Sequence, residues 1–237
     1  MGRQIHQAIV SSFRVYTEPR LVGYVTRIGH SIARKAGRQD LTYRFTVLYD
    51  NRVYATGAPG GFVYITTGFL NFLQNEAELA AVLGHEVGEL QFRDPRFSVT
   101  QRAFKWVSQT SAVVGPFLGQ IGVLAATGVV LLNAVNESRT PTPEKRVLLA
   151  DRMAIRYLVE TRQDPQGYLD YMSRLLNVAP EWSPYCYDYL SSRPVNVERY
   201  RAVLTEFEKL PIDGKNLSVH RERFLELTKG VREIYPK

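Results

Sequence analysis

Two hydrophobic periods alternate along the chain, and the elements can be read where one gives way to the other. Residues 3–14 and 18–36 carry the helical period. In the second of these, Leu21, Tyr24, Val25, Ile28 and Ile32 share one face, Thr17 stands as N-cap and Pro19 falls in the first turn. Residues 43–49 change to a two-residue period, with Tyr43, Phe45, Val47 and Tyr49 on one side. Shorter strands are predicted near 53–56 and at 61–66, divided by Gly57, Pro59, Gly60 and Gly61, so the expected sheet is small and mostly antiparallel. The helical period returns at 76–91. There Asn75 and Glu78 form a capping-box pattern, and Leu79, Val82, Leu83 and Leu90 make the buried stripe. Thr142 and Pro143 open a helix reaching about residue 160; further helices are expected at 165–177 and 195–209, with a loop rich in Pro, Tyr and Ser between them. The pattern is α+β and mainly helical. It predicts one domain over 1–237, of which 210–237 is a helical C-terminal extension.

One stretch has no clear period. Between Trp106 and Asn136 no residue is charged, which is longer than the ~20 apolar residues a bilayer requires. Gly115, Pro116, Gly119, Gly122 and Gly128 interrupt it, so the expectation is two short buried helices packed through their glycines. Membrane contact through 106–136 is the alternative.

Composition narrows the classes. With 45% hydrophobic and 22% charged residues, the 237-residue chain has enough apolar material for an ordered core. Its one cysteine, Cys186, excludes an internal disulfide framework and a cysteine-based zinc site, and reads as a buried thiol. The net charge of +7 is concentrated at the start: Arg3, Arg14, Arg20, Arg27, Arg34, Lys35, Arg38 and Arg44 stand against only Glu18 and Asp40. No nucleic-acid motif accompanies these spaced cations, so they read as a solvated helix face and no nucleic-acid partner is expected. Met1 leads straight into polar sequence without a targeting segment, which suits a cytoplasmic chain or one that starts after a removed segment.

The chemistry is concentrated in His85-Glu86-Val87-Gly88-Glu89. A zinc peptidase commonly places two histidines at i and i+4 of a helix, where both imidazoles reach one metal. A glutamate between them serves as general base to the metal-bound water. Here Glu89 holds the second ligand position, giving HExxE. A carboxylate can ligate zinc, so this change alone leaves a metal open.

The run PGGFVYITTGFLNFLQNEAELAAVLGHEVGEL resembles the gluzincin metallopeptidase family that includes the HtpX heat-shock protease and the CAAX prenyl protease. The resemblance continues through LLADRMAIRYLVETRQDPQGYLDYMSRL and SSRPVNVERY. It implies a zincin-like fold, a cell-envelope location and the strand Gly61, Phe62, Val63, Tyr64 and Ile65 as a substrate groove. With Pro59, Gly60 and Gly61 leading in, that strand is expected at the sheet edge, open to an extended peptide. The resemblance makes His85 and Glu89 metal positions, Glu86 the base, and Asp151 the group that orients the histidine. The family's third ligand, a glutamate four residues before the aspartate of an Ala-Asp pair, falls on Val147; Glu144 lies one turn earlier. The family's cleft histidine, before a proline, is Arg193. Glu86 and Glu89 therefore read as vestigial, and Arg193 as the cation replacing the lost metal charge. The favoured reading is a degenerate metallopeptidase, a pseudoenzyme that keeps a peptide-binding cleft and expects no cofactor. Two others stay open: an active zinc metalloendopeptidase with a non-standard ligand set, and a membrane-associated structural subunit.

Overall fold

A computed structural model describes residues 2–38, 40–92, 142–212 and 214–234. The expectations for 106–136 lie outside the described residues. The elements run α1 (Gly2–Ser12), α2 (Pro19–Ala33), β1 (Arg44–Leu48), β2 (Ala55–Ala58), β3 (Phe62–Thr66), α3 (Thr67–Phe72), α4 (Glu76–Glu89), α5 (Pro143–Glu160), α6 (Gln166–Leu176), α7 (Ser183–Ser192), α8 (Val197–Glu208) and α9 (Arg221–Ile234). The architecture is α+β, mostly helical around one small sheet, as the hydrophobic pattern implies.

Helix α4 is the centre of the molecule, and every one of its residues is buried. It lies among α2, α5, α6, β2 and β3. Asn75 caps it by accepting from the Glu78 amide at 2.9 Å, while the Glu78 carboxylate returns to the Gln74 amide at 2.7 Å. The capping box expected from the sequence therefore closes one residue further out than usual. Against α5 the contact is made by small residues. A β-carbon at Gly84 would stand 3.3 Å from Ala154, and one at Gly88 would stand 3.1 Å from Ala150. That close approach brings side chains of the two helices within hydrogen-bond reach.

The sheet corrects two expectations. It is mixed, in the order β1-β3-β2, with β1 parallel and β2 antiparallel to β3. β3 is therefore the central strand, paired along both flanks, and Gly61, Phe62, Val63, Tyr64 and Ile65 offer no free edge to a peptide. All five residues of β3 are buried, the mark of a strand covered on both faces. Pro59-Gly60-Gly61 is the tight β2–β3 connection: Gly60 and Gly61 have φ of 89° and 87°, which side chains rarely adopt. The glycine pair thus serves the β2–β3 turn and does not mark a sheet edge.

Two local expectations also shift. Glu18, not Thr17, caps α2, its carboxylate accepting from the Arg20 and Leu21 amides at 2.9 and 2.8 Å. An anion suits the positive end of a helix. The Pro-, Tyr- and Ser-rich loop contains α7, which weak intrinsic propensity conceals and which burial of Cys186 and Tyr189 holds in place.

The C-terminal helix docks on the start of α4. The buried Glu76 carboxylate accepts from Tyr24 at 2.7 Å, from Gln163 at 2.7 Å, and from two Arg223 nitrogens at 2.8 and 2.5 Å. Beside it, Arg174 pairs with the buried Glu78.

Candidate functional site

His85, Glu86 and Glu89 lie on α4 at helical spacing, Asp151 on α5, Arg193 at the end of α7 and Arg199 in the first turn of α8. All six are buried. Six formally ionisable groups out of water must satisfy one another, because unpaired charge in an interior is costly.

The pairing divides into two halves. In one, Asp151 accepts from Arg199 Nε at 2.8 Å and Nη2 at 2.9 Å, and from the Tyr168 hydroxyl at 2.5 Å. Its Oδ1 also bonds His85 Nδ1 at 2.7 Å, so Asp151 orients the imidazole. Arg199 further donates to the Arg193 and Pro194 carbonyls, both at 3.3 Å, which ties the two arginine positions together. In the other half, Arg193 Nη2 donates to Glu86 Oε2 at 2.7 Å and Glu89 Oε2 at 3.3 Å. Its Nη1 donates to the Ala55 carbonyl at 3.0 Å, and the guanidinium lies 5.3 Å from the Tyr189 ring centroid. Glu86 Oε2 also accepts the Gly57 amide at 2.8 Å.

These last contacts involve the outward side of β2. Tyr54 and Thr66 are joined across the β2–β3 ladder, so the groups of Ala55 and Gly57 that reach Arg193 and Glu86 point away from β3. The strand that borders the site is thus β2, and the site's own side chains hold its ladder positions.

Proton affinities follow the charges. Burial opposes the Arg193 cation, but Glu86 and then Glu89 outweigh it and raise its pKa further. Burial would raise Asp151; Arg199 and then His85 instead hold it well below the usual carboxylate range. Burial would lower His85, yet Asp151 and then Glu89 raise it above its ordinary 6.5.

A zinc ion fits this arrangement poorly. His85 Nε2 accepts no hydrogen bond from a described residue, and Glu89 Oε1 lies 3.7 Å from it, so two donors could share an ion. A catalytic site needs three protein ligands and an open position. Among the described residues no group of three His, Cys, Asp or Glu side chains is placed to hold a metal ion, and the Val147 side chain on α5 has no donor atom. The Arg193 guanidinium lies against both α4 carboxylates. The guanidinium would repel a dication placed beside it.

The sequence-predicted residues His85, Glu86, Glu89, Asp151 and Arg193 come together; Gly61, Phe62, Val63, Tyr64 and Ile65 form the centre of the sheet instead. Arg199, Tyr168 and the backbone groups of Ala55 and Gly57 were not foreseen. Arg199 had a usable signal: it follows Arg193 within SSRPVNVERY, and a buried aspartate calls for a cation.

The sequence profile of peptidase family M48 matches residues 19–206. The chain is similar to the beta-barrel assembly-enhancing protease of Escherichia coli K12, with 23% identity over 184 residues, covering 76% of this chain and 37% of that protein. It is 26% identical over 170 residues to the corresponding Vibrio cholerae protein, covering 68% of this chain and 34% of the relative. The chain thus spans about a third of the length of the curated relatives it matches.

Two outcomes follow from the network. Arg193→Ala strands Glu86 and Glu89 and is expected to destabilise the fold by about 3–5 kcal/mol in urea unfolding; a loss under about 1 kcal/mol would mean that the guanidinium is not needed. The His85 imidazole should titrate above 6.5 by NMR, and Asp151→Asn should lower its midpoint. Since the folded-state pKa is raised, the stability from His85 is full below about 6.5 and fades as pH rises through the folded value.

Proposed function

The chain belongs to peptidase family M48, and from that premise we propose that it is a pseudopeptidase: a folded protease domain that binds or scaffolds protein rather than cutting it. The observation that carries this reading is the Arg193 guanidinium, 2.7 Å from Glu86 and 3.3 Å from Glu89. It neutralises the would-be general base, and Glu86 Oε2 is further committed to the Gly57 amide. Two donors on one carboxylate oxygen hold the group in place and oppose its turning toward a substrate water.

The partner in this reading is an extended segment of another protein. The curated relatives are named for enhancing β-barrel assembly, which supports placing this domain in the cell envelope beside such clients. No helix among the described residues is long and apolar enough to cross a membrane. β3 is paired on both flanks, so this reading does not use it as the docking place. A client strand adding to β2 would have to displace Arg193 from Ala55 and Glu86 from Gly57, so binding on surfaces outside the cleft is the simpler route.

The second reading, an active peptidase with an unusual ligand set, is supported by the 3.7 Å spacing of His85 Nε2 and Glu89 Oε1. Incubating the purified chain with an unfolded protein such as casein and added zinc separates the two. No cleavage above that of a Glu86→Gln control is expected. Hydrolysis abolished both by Glu86→Gln and by a chelator would establish the second reading instead.

A further inference from the structure

Helix α2 has no acidic residue, and its exposed positions are regularly placed. Arg20, Gly23, Arg27, His30 and Arg34 follow one another at steps of three, four, three and four, which puts them on one stripe, and all five are exposed. Lys35 extends the stripe and is exposed too. The opposite face, with Leu21, Tyr24, Val25, Ile28 and Ile32, is buried in the core. Arg20, Arg27 and His30 are therefore fixed along about 15 Å of the helix at 1.5 Å rise per residue, with Arg34 and Lys35 in the turn that follows its end.

Three acids lie near the row, Glu18, Asp40 and Glu226 on the neighbouring α9, and each is engaged. Glu18 accepts both amides at the start of α2, and Asp40 holds Arg38 through Nε and Nη2. Among the described residues, Arg27, Arg34 and Lys35 make no ion pair, while Arg20 reaches Glu226 in a solvent-exposed bridge of little strength. Gly23 lies between Arg20 and Arg27. A β-carbon there would touch nothing within 4 Å, so nothing inside the protein requires a residue that weakens the helix. Its effect is to lower the helix surface in mid-stripe, where a flat partner would approach.

We propose that the exposed face of α2 is a docking surface for an anionic lipid bilayer. A straight row of cations without an apolar residue matches a plane of acidic headgroups and binds by charge alone. A nucleic acid is less suited: the stripe has no groove and no aromatic side chain on which a base could stack, the exposed large aromatics Tyr49, Tyr185 and Tyr187 lying outside α2. This contact is independent of the pseudopeptidase reading and of 106–136.

Flotation of the full chain with vesicles tests it, using phosphatidylcholine alone against phosphatidylcholine with a quarter phosphatidylglycerol, at low and moderate salt. The wild type should float only with the anionic vesicles and be released by salt. The triple variant Arg27→Gln, Arg34→Gln, Lys35→Gln should bind about a hundredfold more weakly, at about fivefold per charge. A control with the exposed Lys145→Gln, Arg201→Gln and Lys215→Gln should keep wild-type affinity. No flotation with anionic vesicles at low salt, equal flotation with neutral ones, or equal loss in the control would overturn the proposal. So would tighter binding to duplex DNA that depends on the same three residues.

Discussion

The structure depends on one constraint: the helix at its centre carries charged groups that cannot reach water. His85, Glu86 and Glu89 project from α4, which is buried throughout. A group in that position must be compensated from neighbouring elements or it would force the helix out of the core. Compensation comes from three of them. α5 supplies Asp151 to the imidazole, the end of α7 supplies Arg193 to the glutamates, and α8 supplies Arg199 to Asp151. The charges thereby hold α4, α5 and the 193–199 segment in register, a role that needs positive charge at that place rather than a metal as such.

The same contacts determine what the cleft can do. β2 is short and borders the site, and its outward groups would be the natural place for another strand to add. Arg193 occupies the Ala55 carbonyl and Glu86 occupies the Gly57 amide. The guanidinium therefore pairs with the Glu86 carboxylate and covers part of the strand edge at once. The close Gly84 and Gly88 contacts with Ala154 and Ala150 hold α4 against α5 alongside these charged groups.

The sequence was most legible where a local rule and the tertiary structure agree. The α4 capping pattern, its buried stripe and the His85, Glu86 and Glu89 positions lie within one helix, and the opposite charges of Glu89 and Arg193 pointed to the pairing that the structure shows. The Asp151–Arg199 pair is harder to read, since its members lie 48 residues apart on separate helices and only the demand of a buried aspartate for a cation points to it. The sheet failed for a different reason. Strand pairing is a long-range property, and a glycine pair at positive φ serves equally as a hairpin turn or as the approach to an edge. A continuous run of buried residues, Phe62 to Thr66, was the better guide to a central strand. Helix α7 was missed because tyrosine and serine are indifferent helix formers and its stability comes from burial.

Zinc stoichiometry tests the central claim most directly. The purified full chain, dialysed against trace zinc and then buffer, should retain well under one equivalent by elemental analysis, since Arg193 holds the charge position and Val147 offers no donor. One equivalent of zinc, lost on His85→Ala, would contradict the account.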